Sequence, residues 1–168
     1  MELNRFSLPV AAAIIMINAS LLLEGCLEEE RIALLHIKTS IAGPNHMASP
    51  LLSWGNDALC CSWVGVSCDN ITGRVNKIVL FSLKGSIDTK DFDSLSKLEE
   101  LDLSRNEIQN FVTSTGFERP GSLDKLEILD LSSNRISDGN LSFLKGLSSL
   151  KQLHLNKNQL KGSMDMKG

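Results

Sequence analysis

Over its second half the chain repeats one arrangement of apolar and polar positions. Leu95-Ser-Lys-Leu98-Glu-Glu-Leu101-Asp-Leu103-Ser-Arg-Asn106-Glu-Ile108 is matched by Leu123-Asp-Lys-Leu126-Glu-Ile-Leu129-Asp-Leu131-Ser-Ser-Asn134-Arg-Ile136. A third copy runs from Leu147 through Leu150, Leu153, Leu155 and Asn158 to Leu160, and a worn earlier copy covers Val75 to Leu83. The clear copies start 28 and 24 residues apart, and the worn one starts 23 residues before them, near residue 72. In each copy the apolar residues of Leu-Asp-Leu or Leu-His-Leu alternate, which predicts a short strand with one face inward. The flanking leucines then fill the inside of a coil that turns back on itself. Asn106, Asn134 and Asn158 fall where the chain leaves the strand. An amide there both donates and accepts, so it can satisfy backbone groups inside an apolar core. Leu83 holds that place in the worn copy, so an asparagine ladder is expected to begin one coil later. No coil of this kind buries its leucines alone, and about three must stack for stability.

The segment ahead of the repeats suits a lid over the first coil. Glu28, Glu29 and Glu30 open a predicted helix, where negative charge complements the helix dipole. Ile32, Leu34, Leu35, Ile37 and Ile41 give it an apolar face, and Gly43-Pro44 ends it. Trp54, Trp63 and Val66 add bulk nearby. The longer interval holds Thr113, Ser114, Thr115, Gly116, Pro120 and Gly121, which read as an extra loop on the outer rim.

At the start, Arg5 precedes an apolar run from Phe6 to Leu23, the pattern of a secretory signal peptide over residues 1–25. Cleavage is expected between Ala19 and Gly25, with an uncleaved signal anchor as the alternative. With 168 residues, 42% hydrophobic and 22% charged, the chain can bury one core. A formal charge of -3 with no basic stripe argues against a nucleic-acid partner. The four cysteines, Cys26, Cys60, Cys61 and Cys68, follow a secretory address and so suggest disulfides. An adjacent Cys60–Cys61 bond would strain the backbone, which leaves two pairings open. His36, His46 and His154 are scattered, so no metal or other cofactor is expected.

The repeats are leucine-rich repeats, and the residues before them carry a narrower resemblance. Cys26-Leu-Glu-Glu-Glu-Arg31, Ser53-Trp54, Cys60-Cys61-Ser-Trp63-Val-Gly-Val-Ser-Cys68 and Gly73-Arg74-Val75 resemble the N-terminal cap of plant leucine-rich-repeat receptors. The kinase-lacking receptor-like proteins are the most similar group. Leu83-Lys-Gly85-Ser-Ile87 and Leu160-Lys-Gly162-Ser163 are similar to the plant-type L-x-G-x-I-P ending, without its proline. The resemblance implies an α/β solenoid, a right-handed leucine-rich-repeat coil with a parallel sheet on its concave face behind an N-terminal helical disulfide cap. It also implies the pairings Cys26–Cys60 and Cys61–Cys68. The cap would span residues 26–70, and about four repeats would fill 71–168, starting near 72, 95, 123 and 147.

Residues between the strand leucines point onto the concave sheet, where solenoids bind partners. They are Val79 and Phe81; Glu100, Asp102 and Ser104; Ile128, Asp130 and Ser132; and Gln152, His154 and Asn156. Glu99, Glu100 and Asp102 would favour a basic partner. Asn70-Ile-Thr72 and Asn140-Leu-Ser142 are permissive for N-glycosylation. No nucleophile, base or phosphate loop is arranged as an enzyme needs, and Asp102 and Asp130 lie on an open sheet that would not raise either pKa for acid catalysis. The reading is therefore a binding surface rather than an enzyme. By resemblance it is the extracellular ligand-binding part of a receptor-like protein at the plasma membrane, acting in signalling or defence, with a protein or peptide ligand and a membrane co-receptor. A secreted inhibitor of microbial wall-degrading enzymes, like the polygalacturonase inhibitors, is the alternative, and a remnant without activity the third reading. The end at Met164-Asp-Met-Lys-Gly168 reads as truncated, with Leu150, Leu153 and Leu155 on an open apolar end and any membrane span missing beyond it.

Overall fold

The computed structural model describes residues 26–41, 50–57, 59–112, 123–138 and 141–161. The predicted signal segment, Gly43-Pro44, the extra loop with Thr113 to Gly121, Asn140 and the Met164–Gly168 end lie outside the described residues.

Helix α1, Glu28–Ile41, opens with its three glutamates. Glu30 reaches back to the Leu27 N–H at 3.1 Å, half of a capping box that satisfies a donor the helix start would leave unpaired. Ala33, Leu34 and Ile37 are buried against the first coil and Leu35 is half-buried. Ile32, expected on that face, is instead 54% exposed. The helix is turned so that Ala33, beside it, takes the buried position. The Trp54 and Trp63 rings stack with centroids 5.5 Å apart beneath the helix. Their N–H groups donate to the carbonyls of Val64 and Asp57. Disulfides join Cys26 to Cys60 and Cys61 to Cys68, with Cα separations of 6.0 and 5.6 Å.

Strand β1, Val66–Cys68, pairs antiparallel with β2, Val75–Val79. From there β4 (Glu100–Asp102), β6 (Ile128–Asp130) and β7 (Gln152–His154) add in parallel, giving a five-stranded sheet in the order β1-β2-β4-β6-β7. The cap thus contributes an edge strand to the repeat sheet, which the repeat pattern did not predict. Gly65 makes that junction possible. Its φ is +82°, and a Cβ there would lie 2.1 Å from the Val79 carbonyl. A second sheet pairs β3, Lys84–Asp88, with β5, Glu107–Val112, also in parallel. Lys84-Gly-Ser-Ile-Asp carries no apolar alternation, so the pattern gave no sign of it. Glu107 there bridges Lys84 at 3.4 Å and Arg135 of the following coil at 3.2 Å.

The leucines stack in columns through the interior. Ile78, Leu101 and Leu129 form one, and Leu80, Leu103 and Leu131 the next, each at most 2% exposed. In the last coil Leu150, Leu153 and Leu155 are only half-buried, since among the described residues a single neighbour covers them. The asparagines clamp coil to coil. Asn106 donates to the Leu80 and Leu103 carbonyls (2.9 and 2.8 Å) and accepts from Leu83 N–H at 2.7 Å. Asn134 repeats this with Leu103, Leu131 and Ile108, and Asn158 with Leu131, Leu155 and Ile136. Leu83 follows a left-handed residue as the asparagines do, yet its N–H plays the part of Ile108 and Ile136. The first coil is therefore tighter than its successors, and the ladder does begin at Asn106.

The residue before each of these positions is left-handed without being glycine: Ser82 (φ 65°), Arg105 (58°), Ser133 (56°) and Lys157 (57°). This conformation costs an ordinary residue roughly 1 kcal/mol, of which glycine's greater unfolded-state freedom returns part. Arg105→Gly, at an exposed corner, is expected to raise stability by about 0.5 kcal/mol, visible as a thermal midpoint higher by a few degrees. A lower midpoint would contradict the strain assigned to that corner.

Candidate ligand-binding face

Parallel pairing converts the residues between the leucines into columns. Glu100 is in register with Ile128 and Ile128 with Gln152; Asp102 is in register with Asp130 and Asp130 with His154. On β2 the same columns begin at Lys77 and Val79. A third column follows from the backbone bonds Arg105 N–H to Ser132 and Ser133 N–H to Asn156, which set Ser104, Ser132 and Asn156 side by side. Phe81, 46% exposed, stands at its head. The structure brings all eleven predicted positions onto this one surface or its margin. Lys77 belongs with them and was not predicted. The signal was present: residue 77 precedes Glu100 by the same 23 positions that separate Val79 from Asp102.

The side chains differ in how free they are to meet a partner. Asp102 and Asp130 each accept the N–H two residues ahead, from Ser104 and Ser132, at 2.8 Å. They terminate their strands, with only part of each carboxylate left to face outward. Lys77 Nζ lies 2.7 Å from Glu100 Oε1, and Lys151 Nζ 2.7 Å from Glu127 Oε1. Both pairs are solvent-exposed, so they contribute at most about 1 kcal/mol and yield readily to a competing charge. Gln152, His154 and Asn156 are exposed on the last strand. Beside the first columns lies a shallow depression of about 310 Å3 lined by Ser67, Cys68, Asn76, Lys77, Glu99, Glu100, Glu127 and Ile128. Its carboxylates Glu100 and Glu127 are paired with Lys77 and Lys151, and Glu99 adds a negative charge beyond these pairs, which favours a basic partner. With Val79, Phe81 and Ile128 between them, the arrangement is an open, hydrogen-bonding sheet with apolar islands. It suits an extended chain laid across the strands. Among the described residues no group of His, Cys, Asp and Glu is placed to hold a metal ion.

Residues 27–69 match the leucine rich repeat N-terminal domain, and residues 94–110 and 125–147 match leucine rich repeats. The leucine-rich-repeat ectodomain of the receptor kinase SOBIR1 from Arabidopsis thaliana superposes with a TM-score of 0.55 at 32% identity, over 81% of this chain and 70% of that one. The chain belongs to the plant leucine-rich-repeat receptor family. Receptor-like protein 15 of Arabidopsis thaliana is 32% identical over 155 residues, 86% of this chain, which spans only 16% of that relative's length. The PEPR1–AtPEP1 structure superposes at TM-score 0.57 and 26% identity, over 81% of this chain and 19% of that one.

The family's cap places one sequon in view. Asn70 is exposed in the turn between β1 and β2. The Thr72 hydroxyl donates to Asp69 at 2.7 Å, and with the Thr72 and Ile71 N–H groups it holds the Asp69 carboxyl below its usual range. No helix among the described residues is long and apolar enough to cross a membrane.

Proposed function

We propose that this chain is the N-terminal portion of an extracellular receptor ectodomain whose concave sheet binds a basic protein or peptide, without catalysing a reaction. Residues 1–25 act as its secretory signal, 26–70 as its cap and 71–168 as its first four or so coils. Asn70 and Asn140 are its glycan acceptors, and a membrane co-receptor completes the signalling unit. The observation that carries the reading is the register of the columns. Adjacent coils present Lys77, Glu100 and Ile128, then Val79, Asp102 and Asp130, on strands held rigid by the buried asparagines. A preformed surface loses little entropy when a ligand settles on it. Membership in a receptor family supports the same conclusion.

The test is titration of the oxidised, secreted chain with libraries of basic and of acidic nonapeptides, read by fluorescence anisotropy. Glu100→Lys combined with Asp102→Lys is expected to weaken the best binder by more than tenfold, about 1.4 kcal/mol or more. Wild-type affinity should fall as salt rises. Unchanged affinity in the doubly reversed variant, or selection of acidic peptides only, would remove the concave face as the site.

A further inference from the structure

A second cleft, of about 210 Å3, opens where the cap helix meets the first coil, and none of its lining residues belongs to the concave sheet. Ile32 and Ala33 of α1 supply its apolar wall, Glu29 and His36 stand on the same helix, and Asp91 faces them from the short 3-10 turn Thr89–Phe92. Asp91 is the unusual member. Its side chain is 1% exposed, and it is bonded on one side only, Oδ1 lying 3.0 Å from His36 Nδ1. Oδ2 is buried and has no hydrogen-bond partner among the described residues. A buried carboxylate oxygen left in this state is costly and calls for a donor. His36 can supply only one, and its side chain is 61% exposed, so nothing packs it in place. Lys90 also lines the cleft, but its ammonium is drawn to Asp88 at 3.0 Å.

We infer that this cleft receives an arginine side chain from a partner protein or peptide. A guanidinium offers two parallel N–H donors and so matches both oxygens of one carboxylate, where an imidazole matches one. Its aliphatic stem would lie along Ile32 and Ala33, which accounts for a branched apolar residue turned outward from α1. Glu29, exposed at the rim, adds a second negative charge, and His36 swings aside to admit the guest.

The full oxidised chain is titrated with N-acetyl-arginine amide and with its neutral isostere N-acetyl-citrulline amide. Binding is followed by the backbone amide NMR signals of Ala33 and Lys90, which every variant retains. The arginine compound is expected to displace these signals saturably, and the citrulline compound to bind at least tenfold more weakly. Glu29→Gln, at an exposed position that carries no packing, should weaken arginine binding two- to threefold. His36→Ala should tighten it by removing the competitor, and Asp91→Asn should abolish it. Equal response to the two compounds, no response to either, or unchanged affinity in Glu29→Gln together with weaker binding in His36→Ala would overturn the assignment. Glu29→Gln and His36→Ala decide the matter even if Asp91→Asn fails to fold.

Discussion

Glu30→Ala is expected to detach the cap from the solenoid, at a cost of about 3–5 kcal/mol. Glu30 is fully buried. Its Oε1 accepts from Arg74 Nε at 2.8 Å, and its Oε2 accepts from the N–H of Leu27 at 3.1 Å and of Val75 at 3.4 Å. One carboxylate thus serves the start of α1, the first residue of β2 and the guanidinium between them. Truncation leaves a mostly buried cation unpaired and two N–H groups without an acceptor. Against a whole-domain stability of about 5–15 kcal/mol, that is enough to populate a chain with its cap undocked. Glu30→Gln keeps an acceptor for the N–H groups and loses the charge, so a smaller loss of about 1–3 kcal/mol is expected. Urea unfolding of the oxidised chain separates the two, and the Arg74→Ala double-mutant cycle isolates their coupling. A loss below 1 kcal/mol in Glu30→Ala would show that the cap is held by its apolar face and the β1–β2 pairing, without the buried carboxylate.

The second large effect concerns the middle of the ladder. Asn134 accepts from Ile108 N–H at 3.0 Å and donates to the carbonyls of Leu103 at 2.8 Å and Leu131 at 3.0 Å. The Leu103 carbonyl keeps a second donor from Asn106 and the Leu131 carbonyl one from Asn158, but the Ile108 N–H keeps none among the described residues. A buried donor left unmatched costs about 1–3 kcal/mol, and with the two lost amide bonds Asn134→Ala is expected to lose about 2–3 kcal/mol. Asn158→Ala removes equivalent bonds from a half-exposed position that water can reach, and about 1 kcal/mol is expected there. Hydrogen exchange at Ile108 should accelerate strongly in the first variant and remain slow in the second. Equal costs at the two positions would mean that the asparagines act locally and do not clamp neighbouring coils.

The two sites differ in how far they were legible beforehand. Asn134 recurs at a fixed place in a repeat, and its amide both donates and accepts without carrying a charge, so its task followed from spacing and chemistry. Glu30 stands in a run of three glutamates that no local rule distinguishes. Glu28 pairs with Arg31 on the surface at 2.7 Å, Glu29 faces the outer cleft, and Glu30 is buried. The helix phase against the first coil assigns these roles, and that phase is set by contacts between residues more than 40 positions apart. Ile32 and Asp91 follow the same logic. The first was expected inward and faces out, and the second gave no signal because its partner lies 55 residues away.

What the sequence determined by itself was therefore everything periodic: the coils, their strands, the inward leucines, the asparagine ladder and the columns of the concave face, with Lys77 recoverable from the offset of 23. These features depend on contacts between equivalent positions, and a repeated pattern encodes such contacts in its own spacing. The tertiary structure alone decided what occurs once: the cap strand β1 joining the sheet, the outer pairing of β3 with β5, and the burial of Glu30 and Asp91. Those depend on how two unlike surfaces meet, and neither surface carries the other's geometry in its local composition.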